Sequence, residues 1–261
     1  MAIAFSILIL FSLPLLNIKT VQASEPGYQV DEAYTTVTVN VDGNWATGEW
    51  EDSWIEYMDA SAADERFCYK ANSAIGYAPE FLIDSADTTN DAGDIWQICI
   101  GITTGGSVPL AGHNKIEIVG HETLTVYEGN GTGWDVVGSG AVEWADAMTI
   151  HDVPFDYEHW CLEMIIDKTS IGSASWNAAP PIGLRVAFYD ETEELWVAWP
   201  PQSDADIPEG WGLIGGGAGS IPESFGIVVV VFLSSAALAI SFYFLRKPPK
   251  NRVYSQRIWE K

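Results

Sequence analysis

Residues 81–100 read FLIDSADTTNDAGDIWQICI. This stretch decides the fold class, because it holds two extended segments and the turn between them. Residues 76–83 and 95–102 are apolar runs, and in the second Trp96, Ile98, Ile100 and Ile102 share a face at period two. The run of Asp, Ser, Thr, Asn and Gly between them favours a loop over a helix. The same signature recurs outward. Residues 36–41 alternate with Val37, Val39 and Val41 on one face, and residues 115–119 and 123–127 read as a pair turned at Gly120-His121. Trp160, Leu162, Met164 and Ile166 form another inward stripe, and residues 182–188 and 194–199 close the set. With weaker runs included, about nine to eleven strands are expected, with turn signals every ten residues or so. There is no long amphipathic helix and no internal repeat. The pattern predicts an all-β fold, an antiparallel β-sandwich.

The charge layout sets the organisation around that domain. Residues 3–16 (IAFSILILFSLPLL) are apolar, too short to span a bilayer, and are followed by Val21-Gln22-Ala23, which suits signal peptidase. Residues 1–23 therefore read as a signal peptide. Residues 226–245 (GIVVVVFLSSAALAISFYFL) are uncharged and reach about 30 Å as a helix, the thickness of the hydrocarbon core. The tail 246–261 carries six basic residues against one acid, Glu260, which places it in the cytoplasm and the preceding domain outside. The expected order is a signal peptide, an exterior domain over 24–211, a Gly/Ser/Pro linker over 212–224, a transmembrane helix over 225–245, and the basic tail. The protein is expected at the cell surface, in contact with the membrane through that helix.

Composition then excludes several functions. Between Ser24 and Ser224 there are five basic residues (Arg66, Lys70, Lys115, Lys168 and Arg185) and 35 acidic ones, a net charge near −30. Five scattered cations cannot track a phosphate backbone, so nucleic acid is excluded as a partner. Eleven of the twelve Trp lie in this region, which separates it from disordered acidic segments. Cys68, Cys99 and Cys161 are far apart in sequence; one disulfide with one free thiol, or none, both fit. No CxxC, HExxH or Ser/His/Asp pattern appears, and no enzymatic activity is expected.

Three features carry candidate chemistry. The loop Asp84, Asp87, Asn90, Asp91 and Asp94 offers five carboxylate or amide side chains in eleven residues, which suits Ca²⁺, although the spacing is not that of an EF-hand. Trp134 (in GNGTGWDVV) and Trp176 (in GSASWNAAP) are expected in small-residue loops, where flat rings can stack on sugar faces. Trp50, Trp96, Trp160 and Trp196 are expected in core or edge packing. Asn130-Gly131-Thr132 is an N-glycosylation sequon in a Gly-rich turn on the exported side.

The segment VNVDGNWATGEWEDS (39–53), with Val39, Val41, Asp42, Gly43, Trp45 and Trp50, resembles the opening of domains in the carbohydrate-binding-module-9-like group. That group shares its fold with DOMON domains and with the haem subunit of ethylbenzene dehydrogenase. FLIDSADTTNDAGDIWQICI (81–100) resembles the group's strand, acidic loop and strand. WCLEMIIDK (160–168), IGLRVAFYDE (182–191) and AWPPQSDADIPEGWG (198–212) resemble its terminal strands and Trp-Pro ending. The resemblance implies a non-catalytic surface module that binds a glycan or a cell-envelope polymer. Its haem-binding branch implies the alternative, a b-type haem electron carrier using Met with His or Lys. Here that would draw on Met148, His151 and Lys168. Met148 and His151 lie three residues apart and are poorly placed to clamp opposite haem faces, so haem is not expected. A purely structural envelope protein is the further alternative.

Overall fold

The computed structural model describes residues 27–31, 33–58, 65–101, 105–139, 142–150, 156–167 and 182–215. Among them are fourteen strands: β1 (Gln29–Asp31), β2 (Tyr34–Thr35), β3 (Trp54–Tyr57), β4 (Arg66–Asn72), β5 (Ala78–Asp84), β6 (Ile95–Gly101), β7 (His113–Val119), β8 (Thr123–Gly129), β9 (Trp134–Gly138), β10 (Val142–Thr149), β11 (His159–Ile166), β12 (Ile182–Asp190), β13 (Leu195–Trp199) and β14 (Gly212–Gly215). An eight-stranded sheet runs β1-β14-β12-β6-β7-β8-β9, with β13 on the far half of β12. A six-stranded sheet runs β10-β11-β5-β4-β2, with β3 also on β4. Pairing is antiparallel except at β1·β14 and β2·β4. The two sheets face each other as a sandwich.

The core is built from the inner stripes. Trp96, Ile98 and Ile100 of β6, Ile116 and Ile118 of β7, and Leu184, Val186 and Phe188 of β12 line one sheet. Phe67 and Tyr69 of β4, Phe81 and Ile83 of β5, and Trp160, Leu162, Met164 and Ile166 of β11 line the other. Each fully buried aliphatic or Phe side chain contributes roughly 1.5–3 kcal/mol from water exclusion, which makes these stripes the dominant stabilising term.

The strand count exceeds the nine to eleven expected, because the extra strands are very short or carry polar faces. β4 (RFCYKAN) is buried at all seven positions although Arg66, Lys70 and Asn72 lie on it. Residues 36–41 correct a second expectation. They form no strand, but lie across the outer face of the six-stranded sheet and bury Val39 there with Trp50, Cys68, Leu82 and Cys161. The anchor is Glu163, fully buried: Oε1 accepts from Trp50 Nε1 (2.8 Å), and Oε2 from the amides of Asp42 (2.9 Å) and Gly43 (3.1 Å). Gly43 has φ +77°, and a Cβ there would meet Ala147 N at 2.5 Å, so only glycine lets the chain pass β10. The Asp-Gly-x-Trp opening is thus a covering device.

Gly212–Gly215, expected as linker, form β14 beside β1 and β12, so the sandwich runs past the predicted boundary at 211. Cys68, Cys99 and Cys161 are buried free thiols. β5 separates the strands of Cys68 and Cys161, and Cys99 belongs to the other sheet. Burial pushes the thiols of Cys68 and Cys99 up to about 12, which leaves them unreactive. The predicted signal peptide, the rest of the linker, the apolar run 226–245 and the basic tail lie outside the described residues. Among those described, no helix is long and apolar enough to cross a membrane.

Candidate functional site

The outer face of the eight-stranded sheet carries a polar row at its centre. Strand alternation sends Lys115 and Glu117 of β7, Gln97 of β6 and Arg185 of β12 away from the core. Lys115 Nζ pairs with Glu117 Oε1 at 2.9 Å and sits 4.4 Å above the Tyr127 ring. Gln97 Nε2 donates to Glu117 Oε1 at 2.6 Å, and its Oε1 accepts from Arg185 Nη1, which fixes both groups. Arg185 Nε donates to the Ser203 carbonyl at 3.0 Å.

A wall is folded over one end of this row by residues 200–211. Trp211 is fully buried and holds it down: its Nε1 donates to the Asp204 carbonyl at 2.9 Å, and its ring lies 5.3 Å from His113. Trp134 braces the wall from the other side. Its Nε1 donates to Asp206 Oδ1 at 2.7 Å, and its ring is parallel to Trp211 at 6.4 Å. Between wall and sheet is a groove of about 400 Å³ lined by Gln97, Arg185, Trp196, Ala198, Gln202, Ser203, Asp204 and Ala205. Ala198 leaves the floor low, and Trp196 is 42% exposed at the rim, 5.5 Å from the Arg185 guanidinium.

These positions revise the aromatic expectations. Trp134 opens β9 rather than sitting in a loop, and its indole N–H is committed to the wall. Trp196, expected in packing, is the exposed ring. The signal was in Leu195–Trp199: Val197 and Trp199 face inward, so Trp196 must face out. Trp176 lies outside the described residues.

A second cluster forms where three turns meet at one end of the sandwich. Loop 85–94 joins β5 to β6, the Gly120-His121 turn joins β7 to β8, and residues 191–194 join β12 to β13. Gly120 and His121 both have φ +59° in the expected turn, a three-residue connection between the paired Val119 and Thr123. A Cβ on Gly120 would meet Ala92 O at 2.7 Å, so the turn is pressed against the acidic loop. Asp94 Oδ1 accepts from the Glu191 amide (2.9 Å), while Oδ2 faces His121 Nε2 (3.2 Å) and accepts from the Asp91 amide (3.1 Å). His121 Nδ1 meets Asp146 Oδ2 at 2.6 Å, and its ring stacks on Trp160 at 3.8 Å. Burial opposes charge on His121, but the carboxylates of Asp146 and Asp94 outweigh it and raise its pKa. Burial raises the pKa of Asp87. Potential ligand atoms lie within 4.8 Å of one another in two overlapping sets: Asp87, Asp94 and His121, and Asp91, Asp94 and Asp190.

The five residues proposed from the loop therefore divide. Asp87, Asp91 and Asp94 converge. Asp84 does not: it ends β5, is fully buried, and takes Arg66 Nε (3.0 Å) and His159 Nε2 (2.7 Å) beneath the other sheet. Asn90 is exposed and belongs to neither set. His121 and Asp190 were missed, because they reach the site through strand pairing rather than proximity in sequence. Asn130 is exposed, and its side chain closes its own turn by accepting from Thr132 N (2.9 Å) and donating to Asp135 (2.9 Å). Met148 is half-buried against the core, while His151 and Lys168 lie outside the described residues.

No protein-family model and no curated protein matches the chain. Solved structures do resemble its fold. A carbohydrate-binding module of family 9 from Caldicellulosiruptor kristjanssonii, in complex with glucose, is 12% identical over 74% of this chain and 99% of its own length, with a TM-score of 0.48. A family 9 module from the same organism in complex with cellotriose is 12% identical over 74% and 96%, with a TM-score of 0.46. At that identity the likeness concerns the fold.

Proposed function

We propose that this chain is a non-catalytic module that binds a glycan or envelope polymer in the groove between the wall 200–211 and the eight-stranded sheet. The module is displayed at the cell surface by a single C-terminal membrane helix. The observation that carries this reading is Trp196: a large exposed ring beside ordered polar groups. An aromatic face stacks on the C–H face of a sugar, and a few fixed donors and acceptors then set its orientation. Gln97, Gln202, Asp204 and Arg185 supply both kinds at the groove. The test is titration of the full-length chain in detergent against a panel of neutral and acidic oligosaccharides, followed by tryptophan fluorescence or calorimetry. Binding that disappears in Trp196→Ala, with an unchanged melting curve, supports the groove. Binding that survives the substitution removes it.

A second reading concerns the turn cluster, which we propose holds Ca²⁺ and stiffens that end of the sandwich. It is favoured by Asp87 Oδ2, a buried carboxylate oxygen with no hydrogen-bond partner among the described residues, in the set with Asp94 and His121 that shares Asp94 with the Asp91 and Asp190 set. A hard cation would satisfy it. A melting temperature that does not rise at millimolar calcium would sink this reading. The exposed Asn130 sequon is proposed as a glycan acceptor, checked by a mass shift on glycosidase treatment.

A further inference from the structure

Two arginines are buried in the described part of this chain, Arg66 at 5% exposure and Arg185 at 4%. Arg66 has its carboxylate, Asp84, at 3.0 Å. Arg185 has none within ion-pair distance among the described residues: its acceptors are the amide oxygen of Gln97 and the carbonyl of Ser203, both neutral. Beyond these two, the neutral thiol of Cys99 is its only further hydrogen-bond partner among the described residues. In a chain with 36 acids and 12 bases, a carboxylate is the easiest partner to supply, and a buried cation without one is expensive. The acid one strand further on, Glu117, is engaged by Lys115 and Gln97. Ser203 Oγ, on the same groove wall, is also buried without a partner.

We infer that the groove is built for a carboxylate on its ligand, so that the sugar bound at Trp196 is a uronate. This rests on the glycan reading above and specifies its substrate class. The planar guanidinium presents paired N–H groups that match a carboxylate's two oxygens, Ser203 Oγ adds a donor, and the Trp196 ring lies alongside for the pyranose. The domain's charge narrows the ligand further. A net charge near −30 repels a polyuronate along its length, whereas a single carboxylate meets mainly its contact partner, because exposed charges beyond about 10 Å are screened at ordinary salt. The ligand is therefore a neutral chain bearing isolated uronate units.

The test is calorimetric titration of the full-length chain in detergent with an aldouronic trisaccharide (one uronate, two neutral sugars) and with its methyl ester. The ester keeps the sugar and removes the charge. The acid is expected to bind at least tenfold more tightly than the ester. Arg185→Gln should abolish that difference, the acid's affinity falling to the ester's, with its melting curve as the folding control. Equal affinity of acid and ester in the unaltered protein overturns the uronate inference and leaves the glycan reading standing. Failure of both compounds, and of every neutral oligosaccharide in the panel, removes the glycan reading together with it.

Discussion

The two sheets of this sandwich treat charge on their outer faces in opposite ways. On the six-stranded sheet, residues 36–53 cover the charges, and the covered groups are matched. Glu163 takes the Trp50 indole and two amides, Arg66 takes Asp84, and Lys70, fully buried, takes Asp52 at 3.3 Å with Glu80 at 3.8 Å. On the eight-stranded sheet the covering loop stops short, and a guanidinium is left facing a groove with neutral partners only. The same residue type is thus structural on one face and available on the other. What distinguishes them is whether the chain supplies the counter-charge.

The largest effect expected from this contrast is on folding. Arg66→Met removes the guanidinium from Asp84 in a buried site beside His159, and breaking one side of a buried pair costs about 3–5 kcal/mol. Arg185→Met removes a cation with no carboxylate to strand, and stability should change by about 1 kcal/mol or less. Denaturant unfolding of both variants checks the pair. Equal losses would show that Arg185 is as structural as Arg66.

Calcium tests the third region, the turn cluster, against both faces. At a hundredfold excess over its dissociation constant, a bound ion stabilises the fold by about 2.7 kcal/mol. Asp87→Asn should abolish that gain while raising stability in chelator. The sign follows from burial. Asp87 has a pKa raised above its ordinary 3.8, so its ionised form destabilises the fold increasingly as pH climbs through the raised value, and an amide escapes that term. Melting curves with calcium and with EDTA check both halves.

These contrasts also measure how far the sequence could be read. The inner stripes were legible because period-two alternation is a local signal: 95–101, 160–166 and 182–188 all appear as strands. β4 was opaque, because its outer residues Arg66, Lys70 and Asn72 look solvent-exposed until residues 36–53 are laid over them. Residues 36–41 misled for the reverse reason, as Val39 is buried by a covering segment rather than by a strand. The acidic loop was visible as a loop, but its partners were not. His121 arrives because Ile95 pairs with Val119, and Asp190 because Tyr189 pairs with Ile95, separations that composition cannot report. Trp196 was expected in packing although parity with Val197 and Trp199 turns it outward, whereas the lack of a carboxylate beside Arg185 needed the full fold.

A smaller effect should appear with pH at the same cluster. His121 is held between Asp94 and Asp146, and its raised pKa means the folded state holds the proton more tightly than the unfolded chain does. Its contribution is therefore complete below the ordinary value of 6.5, and is lost as pH rises through the folded value. His121→Asn keeps a residue tolerant of φ +59° and removes the charge. The loss should be about 1–2 kcal/mol near pH 5.5 and should shrink above neutrality, as followed by denaturant midpoints across pH. A constant difference at all pH values would assign His121 a packing role through its stack on Trp160.

The smallest expected effect on stability is the one most specific to the groove. Trp196 touches Tyr189 at 5.2 Å and stands beside Arg185, but its ring faces water, so Trp196→Ala should alter stability by about 0.5 kcal/mol or less. Trp134→Ala should do more, about 1 kcal/mol, because it removes the Asp206 hydrogen bond and the ring beside Trp211 that hold the wall. If the groove is the binding site, the order reverses for ligand. Trp196→Ala then eliminates a stacking platform outright, while Trp134→Ala only loosens a wall that Trp211 still pins through Asp204. Two variants ranked one way by melting and the opposite way by affinity separate a residue kept for contact from one kept for shape. The same ranking in both measurements would mean that the exposed ring of Trp196 belongs to the fold alone.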